Sequence, residues 1–335
     1  MKKYASLLLF ALLLNGCDDG DLTVDSVDFE DISIQSCDPL LNTLLYKLKD
    51  QESLLLQLPL NTLKNDATTI GDPTVINIDS QGNGSYRFLY RAYDGTVATA
   101  NICNAIPPKA PNVTEEWLAT SGQIVISSVQ ITEEDATTKA TKITGYTHDI
   151  NLKNVTFLKP SGPTQVQEDF PFGTYKTTIT TPIVVTFTDT NNARYCSVQQ
   201  KIYNENGTTA LVIKNLDPAL IKPEATPVGV PRTGLINATA TTNNVNYEIY
   251  SSTLPINTSG YFCTSVTQTT PTVQESWAGK AGVTADNTGI IEVTTTEETN
   301  LFRHKIILRS TTLQKGNSSF MLGTSFLVGS ITINK

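Results

Sequence analysis

Two patterns of apolar residues divide the chain. Residues Leu7 to Leu14 (LLLFALLL) form one uninterrupted apolar block, whereas the chain beyond about residue 25 carries short β-branched and aromatic runs separated by turn residues. Val184-Val-Thr-Phe187, Ala210-Leu-Val-Ile213, Ile290-Ile-Glu-Val-Thr294 and Lys305-Ile-Ile-Leu308 read as strands. Gln81-Gly-Asn-Gly84 and Asn204-Glu-Asn-Gly207 read as turns between strands. One stretch points elsewhere: Leu40 to Leu58 (LLNTLLYKLKDQESLLLQL) is rich in good helix formers and fits an amphipathic helix.

An internal repeat resolves that conflict. The frame Cys103, Pro111, Val113, Glu115, Trp117 recurs as Cys263, Pro271, Val273, Glu275, Trp277, each residue displaced by 160 positions, and these are the chain's two tryptophans. Cys37 matches Cys196, Thr132-Glu133-Glu134 matches Thr296-Glu297-Glu298, and His148-Asp-Ile150-Asn-Leu152 matches His304-Lys-Ile306-Ile-Leu308. Phe170-Pro-Phe-Gly173-Thr174 is matched with Phe320-Met-Leu-Gly323-Thr324. The partner of the Leu-rich stretch, from Gln200 through Asn-Glu-Asn-Gly to Ile213, reads as a hairpin. Homologous copies share a fold, so Leu40–Leu58 is expected to be a hairpin turning at Lys49-Asp50-Gln51. The expected architecture is all-β, with two tandem homologous antiparallel β-sandwich domains at residues 25–178 and 180–335. A short helical turn is expected within the Pro-x-Val-x-Glu-x-Trp stretch.

The repeat also orders the cysteines. Five are present. Setting Cys17 aside leaves two per copy, Cys37 and Cys103 in the first and Cys196 and Cys263 in the second. A bridge confined to each copy is the one pairing both copies can share, so Cys37–Cys103 and Cys196–Cys263 are expected. Closing loops of that length stabilises each copy by roughly 4 kcal/mol in the chain-entropy model.

Composition narrows the chemistry. Lys and Arg total 24 against 32 Asp and Glu, a net charge of −8 without a basic run. That argues against nucleic acid as a partner, since such binding begins with phosphate neutralisation. Two histidines, one per copy, are too few for a His-rich metal site. His148 shares strand parity with Ile150 and Leu152, and His304 with Ile306 and Leu308, which points each ring toward the core. Glu115 and Glu275 invite a glycosidase reading, but that chemistry needs a pair of carboxylates about 5–10 Å apart. Glu133-Glu134-Asp135 is acidic, yet calcium takes about six to eight oxygens, and Thr299 stands in place of Asp135 in the second copy. Trp117 and Trp277 are open to two readings, as sugar-stacking platforms or as core plugs beside the disulfides. No nucleophile elbow or phosphate-cradling glycine loop occurs, and neither a cofactor nor a metal is expected.

The N-terminus supplies an address. Lys2 and Lys3 precede the apolar block, which at eight residues is too short for the roughly 20 that span a bilayer. Leu14-Asn-Gly-Cys17 then resembles the bacterial lipobox, which implies a signal peptide over residues 1–16 and lipidation at Cys17. Asp18, Asp19 and Asp21 follow in a tether over residues 17–24 and resemble the surface-export signal of lipoproteins in Bacteroidota. An Asp directly after the cysteine also resembles the inner-membrane retention signal of enterobacteria. Asp25-Ser26-Val27 fits the short O-glycosylation pattern of the same phylum as the export signal. Together with the duplicated frame, these residues make the chain similar to surface-exposed, flavobacterial-type lipoproteins of Bacteroidota. The resemblance implies a protein held in the outer membrane by its lipid and exposed at the cell surface, with a periplasm-facing position as the alternative. No activity is implied. A non-catalytic binding, adhesion or accessory module is expected, partnered by the outer membrane and by a surface glycan or envelope protein. The alternative is a glycan-binding lipoprotein of a nutrient-uptake system.

Overall fold

A computed structural model describes residues 27–335 apart from 82–83, 161, 240–241 and 267. The chain is all-β and antiparallel. Its first half contains β1 (Gln35–Ser36), β2 (Leu44–Lys49), β3 (Glu52–Gln57), β4 (Thr74–Asn77), β5 (Arg87–Tyr93), β6 (Val113–Glu134), β7 (Thr141–Leu158) and β8 (Gln165–Thr178). They form one sheet in the order β1-β2-β3-β5-β6-β7-β8, with β4 paired to β6.

The second half contains β9 (Arg194–Cys196), β10 (Lys201–Asn206), β11 (Thr209–Lys214), β12 (Arg232–Leu235), β13 (Asn244–Tyr250), β14 (Val273–Gly279), β15 (Ile290–Glu297), β16 (Leu301–Arg309), β17 (Thr312–Lys315), β18 (Ser318–Met321) and β19 (Ser325–Asn334). These form a seven-stranded sheet, β18-β17-β14-β13-β11-β10-β9, and a four-stranded sheet, β12-β15-β16-β19.

The pairing order is the same in both halves once the long strands are cut at their bends. The start of β6 pairs with β5 as β14 pairs with β13, and its later part pairs with β4 as β15 pairs with β12. In the first half β6 and β7 run through the corner between layers on register shifts around Ala119–Gln123, where Gly122 has φ +129°. In the second half the chain breaks there instead, between β14 and β15 and again between β16 and β17. A bulge or a break does the same work, letting one strand serve two layers.

The Leu-rich stretch is the hairpin β2–β3, turning at Asp50-Gln51 with Asp50 at φ +46°; its counterpart β10–β11 turns at Gly207 with φ +58°. Helix propensity loses because both faces of this hairpin are covered. Leu45, Leu54, Leu56 and Leu58 enter the main core, while Tyr46 and Leu55 pack on the opposite face beside Cys37 and Cys103. A strand buried on both faces shows a continuous apolar run instead of alternation.

Three expectations are corrected. The Pro-x-Val-x-Glu-x-Trp stretches are strands, β6 and β14; the short helices lie earlier, at Thr99–Cys103 and Thr258–Phe262, each ending at or next to the second cysteine of its half. There the helix covers the apolar outer face of the sheet, with Phe262 stacked on Tyr203 at 4.3 Å between centroids. Second, Gly173 sits opposite Ile150 and Gly329 opposite Ile306, each at a bulge, so the counterpart of Gly173 in the ladder is Gly329, not Gly323. Both glycines have positive φ, +119° and +133°, and a Cβ on Gly329 would lie 2.6 Å from the Ala193 nitrogen. Third, Val184–Phe187 joins no ladder. It is extended, and Ile183, Val185 and Phe187 turn inward, but no strand among the described residues pairs with it.

Candidate functional site at the joint between the halves

The hairpin β17–β18 of the second half docks on the first half. Its outer edge is closed by side chains rather than by a strand. The Gln130 amide donates from Nε2 to the Ser319 carbonyl and accepts from the Ser319 N–H, both at 2.8 Å, and Thr141 Oγ1 accepts from the Met321 N–H at 2.7 Å. Ser318 is fully buried: its hydroxyl accepts from Tyr146 Oη (2.9 Å) and the Ala67 N–H (3.1 Å) and donates to Asp66 Oδ1 (2.8 Å). Ile143 and Tyr146, from β7, belong to the same core cluster as Trp277, Leu313 and Phe320. Burial raises the Tyr146 phenol above its ordinary pKa.

The two tryptophans are each 3% exposed and sit in matching surroundings. Trp117 Nε1 donates to Glu115 Oε1 at 2.7 Å, with the Lys159 ammonium 4.3 Å from the ring centroid. Trp277 Nε1 donates to Glu275 Oε1 at 2.8 Å; the Lys315 ammonium lies 5.2 Å from the ring and donates to the same oxygen at 2.6 Å. Each glutamate therefore accepts from a buried indole N–H. Sequence reasoning found the Glu and Trp of this unit but missed the lysines, which stand at the same spacing from each other as His148 and His304.

Both histidines are fully buried. His148 is hydrogen-bonded through Nδ1 to Ser128 Oγ (2.8 Å) and through Nε2 to Thr177 Oγ1 (2.9 Å), and burial pushes its pKa down to about 4. His304 Nδ1 meets Thr295 Oγ1 at 2.8 Å, but its Nε2 has no partner among the described residues. Burial, and then the nearby Arg232 charge, lower its pKa as well.

Two cavities line the joint, with Ile183 and Phe320 in the walls of both. The inner one, about 210 Å³, reaches Glu275, Trp277 and Lys315; the outer one, about 450 Å³, lies between the extended segment 183–185 and Ser325–Leu327 of β19. The acidic group at its rim is already engaged. Glu133 pairs with Lys142 at 3.2 Å and Glu134 with Lys139 at 3.0 Å. Asp135 caps its own turn by accepting from the N–H groups of Thr137 and Thr138 and from Thr138 Oγ1, bonds that hold its carboxyl below the usual range. Among the described residues, no three or more His, Cys, Asp or Glu side chains converge on a common point.

The disulfides are Cys37–Cys103 and Cys196–Cys263, with Cα–Cα distances of 5.2 and 5.1 Å. Cys17, Asp18, Asp19, Asp21 and Ser26 lie outside the described residues. No helix among the described residues is long and apolar enough to cross a membrane. No known protein family, curated protein or solved structure matches the chain.

Proposed function

We propose that the protein is a lipid-anchored module of the bacterial outer membrane, exposed at the cell surface, and that it binds or scaffolds and does not catalyse. The observation that carries this reading is the start of the chain: an apolar block of eight residues running into Leu14-Asn-Gly-Cys17, followed at once by Asp18, Asp19 and Asp21. The two disulfides fit an oxidising compartment. The non-catalytic part rests on Glu275, Glu133, Glu134 and Asp135 at the joint, which are committed to an indole, to lysines or to a turn. The glycan-uptake alternative needed a tryptophan open to solvent; with both indoles buried, no observation favours it.

The test is metabolic labelling with a clickable palmitate analogue, followed by membrane fractionation. The wild type is expected to carry the label and to sediment with membranes. The Cys17→Ala variant is expected to lose both properties. Label retained in that variant, or a wild type that is soluble, would overturn the proposal.

A further inference from the structure

We propose that the slot between residues 183–185 and Ser325–Leu327 of β19 binds a short extended peptide of about three or four residues with a free amino terminus. The inference deepens the binding role proposed above and rests on it.

Both walls of the slot are strand edges without a strand to pair with. One edge of β19 is occupied by β16. On its other edge the first bond is made by the turn of the first half, where the Thr324 N–H donates to the Thr138 carbonyl at 2.9 Å. The next comes at Val328, whose carbonyl accepts from Asn204 Nδ2 at 2.7 Å. Beyond it the Ser330 N–H donates to the Asn191 carbonyl and its carbonyl accepts from the Ala193 N–H. Between these two closures Ser325–Leu327 has no partner on that edge among the described residues. Across the gap, residues 182–187 alternate like a strand, but among the described residues no hydrogen bond reaches their backbone. Past Phe187, whose ring packs on Phe326, the chain bridges β19 in parallel at Asn192 and Ser330, while residues 183–185 and Ser325–Leu327 line the cavity of about 450 Å³.

This geometry selects its ligand. An unpaired strand edge is a template for a further extended backbone, and only a ligand carrying amides at strand spacing meets two strand edges at once. A purely apolar molecule would fill the slot and leave both edges unpaired. The floor, formed by Phe320, Leu322 and Ala140, suits alternate apolar side chains. The open length, from Thr324 to Val328, is roughly 13 Å at about 3.3 Å per residue, which limits the peptide to three or four residues. Glu133 and Glu134 are each paired with a lysine, so Asp135, bonded only to neutral groups of its own turn, leaves the Thr138 end one charge negative. That end favours the peptide's ammonium group.

The test is isothermal titration of the purified, disulfide-intact chain with Val-Thr-Val-Thr-amide and with its N-acetylated form. Saturable binding of the free amine is expected, weakened about two- to fivefold by acetylation, the range for an exposed ion pair. Ala140→Trp, which fills the slot, should abolish binding. Val184→Arg should weaken it, since Val184 is 60% exposed on the wall and the change leaves the core untouched. Val198→Arg, on a different exposed loop, should bind as the wild type does. Melting curves of the unliganded variants separate loss of the site from loss of the fold. Absence of peptide binding to the wild type, or equal binding by Ala140→Trp, contradicts the proposal. So does a slot that takes 8-anilinonaphthalene-1-sulfonate but no peptide. Any of these failures leaves the membrane address, tested by labelling at Cys17, to stand or fall separately.

Discussion

His148 and His304 hold the same ladder position, yet only one is fully satisfied. The reason is a single side chain. Thr177 stands opposite Tyr146 on β8 and supplies the hydroxyl for His148 Nε2, whereas the residue opposite Phe302 on β19 is Ile333. Parity along the strand was enough to read both rings as inward-facing; the missing partner was not legible, because it depends on how β8 and β19 align. That alignment is set by the bulges at Gly173 and Gly329, which the sequence match to Gly323 had misplaced. Burial gives His148 a pH signature. Its folded pKa of about 4 lies below the ordinary histidine value of about 6.5, so the unfolded chain takes up a proton first as the pH falls. Stability from this group is complete above about pH 6.5 and is lost on acidification toward pH 4. The loss amounts to roughly 3 kcal/mol at about 1.4 kcal/mol per unit. Denaturant titrations from pH 7.5 to 4.5 should give a slope that flattens in His148→Gln. An unchanged slope would mean that the ring is not held neutral.

At the scale of elements, the repeat outperformed local propensity. Leu40–Leu58 looks helical by composition, and only its partner's Asn-Glu-Asn-Gly turn identified it as a hairpin; burial on both faces explains why alternation was absent. Where the repeat was silent the reading failed. Nothing in the sequence marks the corner that β6 rounds by bulges and β14–β15 by a break, since both solutions satisfy the same layer geometry. The run Val184–Phe187 was strand-like by every local measure and is indeed extended, but a strand needs a neighbour and its sequence cannot report one. The β17–β18 hairpin shows the converse, an edge closed by side chains. Ser318 is its buried centre, and Ser318→Ala would leave Tyr146, Asp66 and the Ala67 N–H short of a partner. The expected cost is about 1–3 kcal/mol, read as a lower denaturation midpoint with an unchanged m-value. A variant as stable as the wild type would show that water replaces the hydroxyl without loss.

At the scale of the whole molecule, the halves are joined through packed surface as well as through the connecting chain. Ile143 and Tyr146 complete the core around Trp277, whereas Trp117 is capped by Lys159 from its own half. The all-β class and one disulfide per half were readable from the duplicated frame. The joint was not, because contacts between copies leave no periodic mark. The chemistry in sight is that of a stable, bridged body with open strand edges at its joint, and the account gives that body a position outside the cell. The most direct test of that claim is protease accessibility on intact cells, run beside an Asp18→Ala, Asp19→Ala, Asp21→Ala variant and a lysed control. The account predicts that the wild type is shaved from intact cells, while the variant is protected until lysis. Protection of the wild type on intact cells would place the protein in the periplasm and contradict surface exposure.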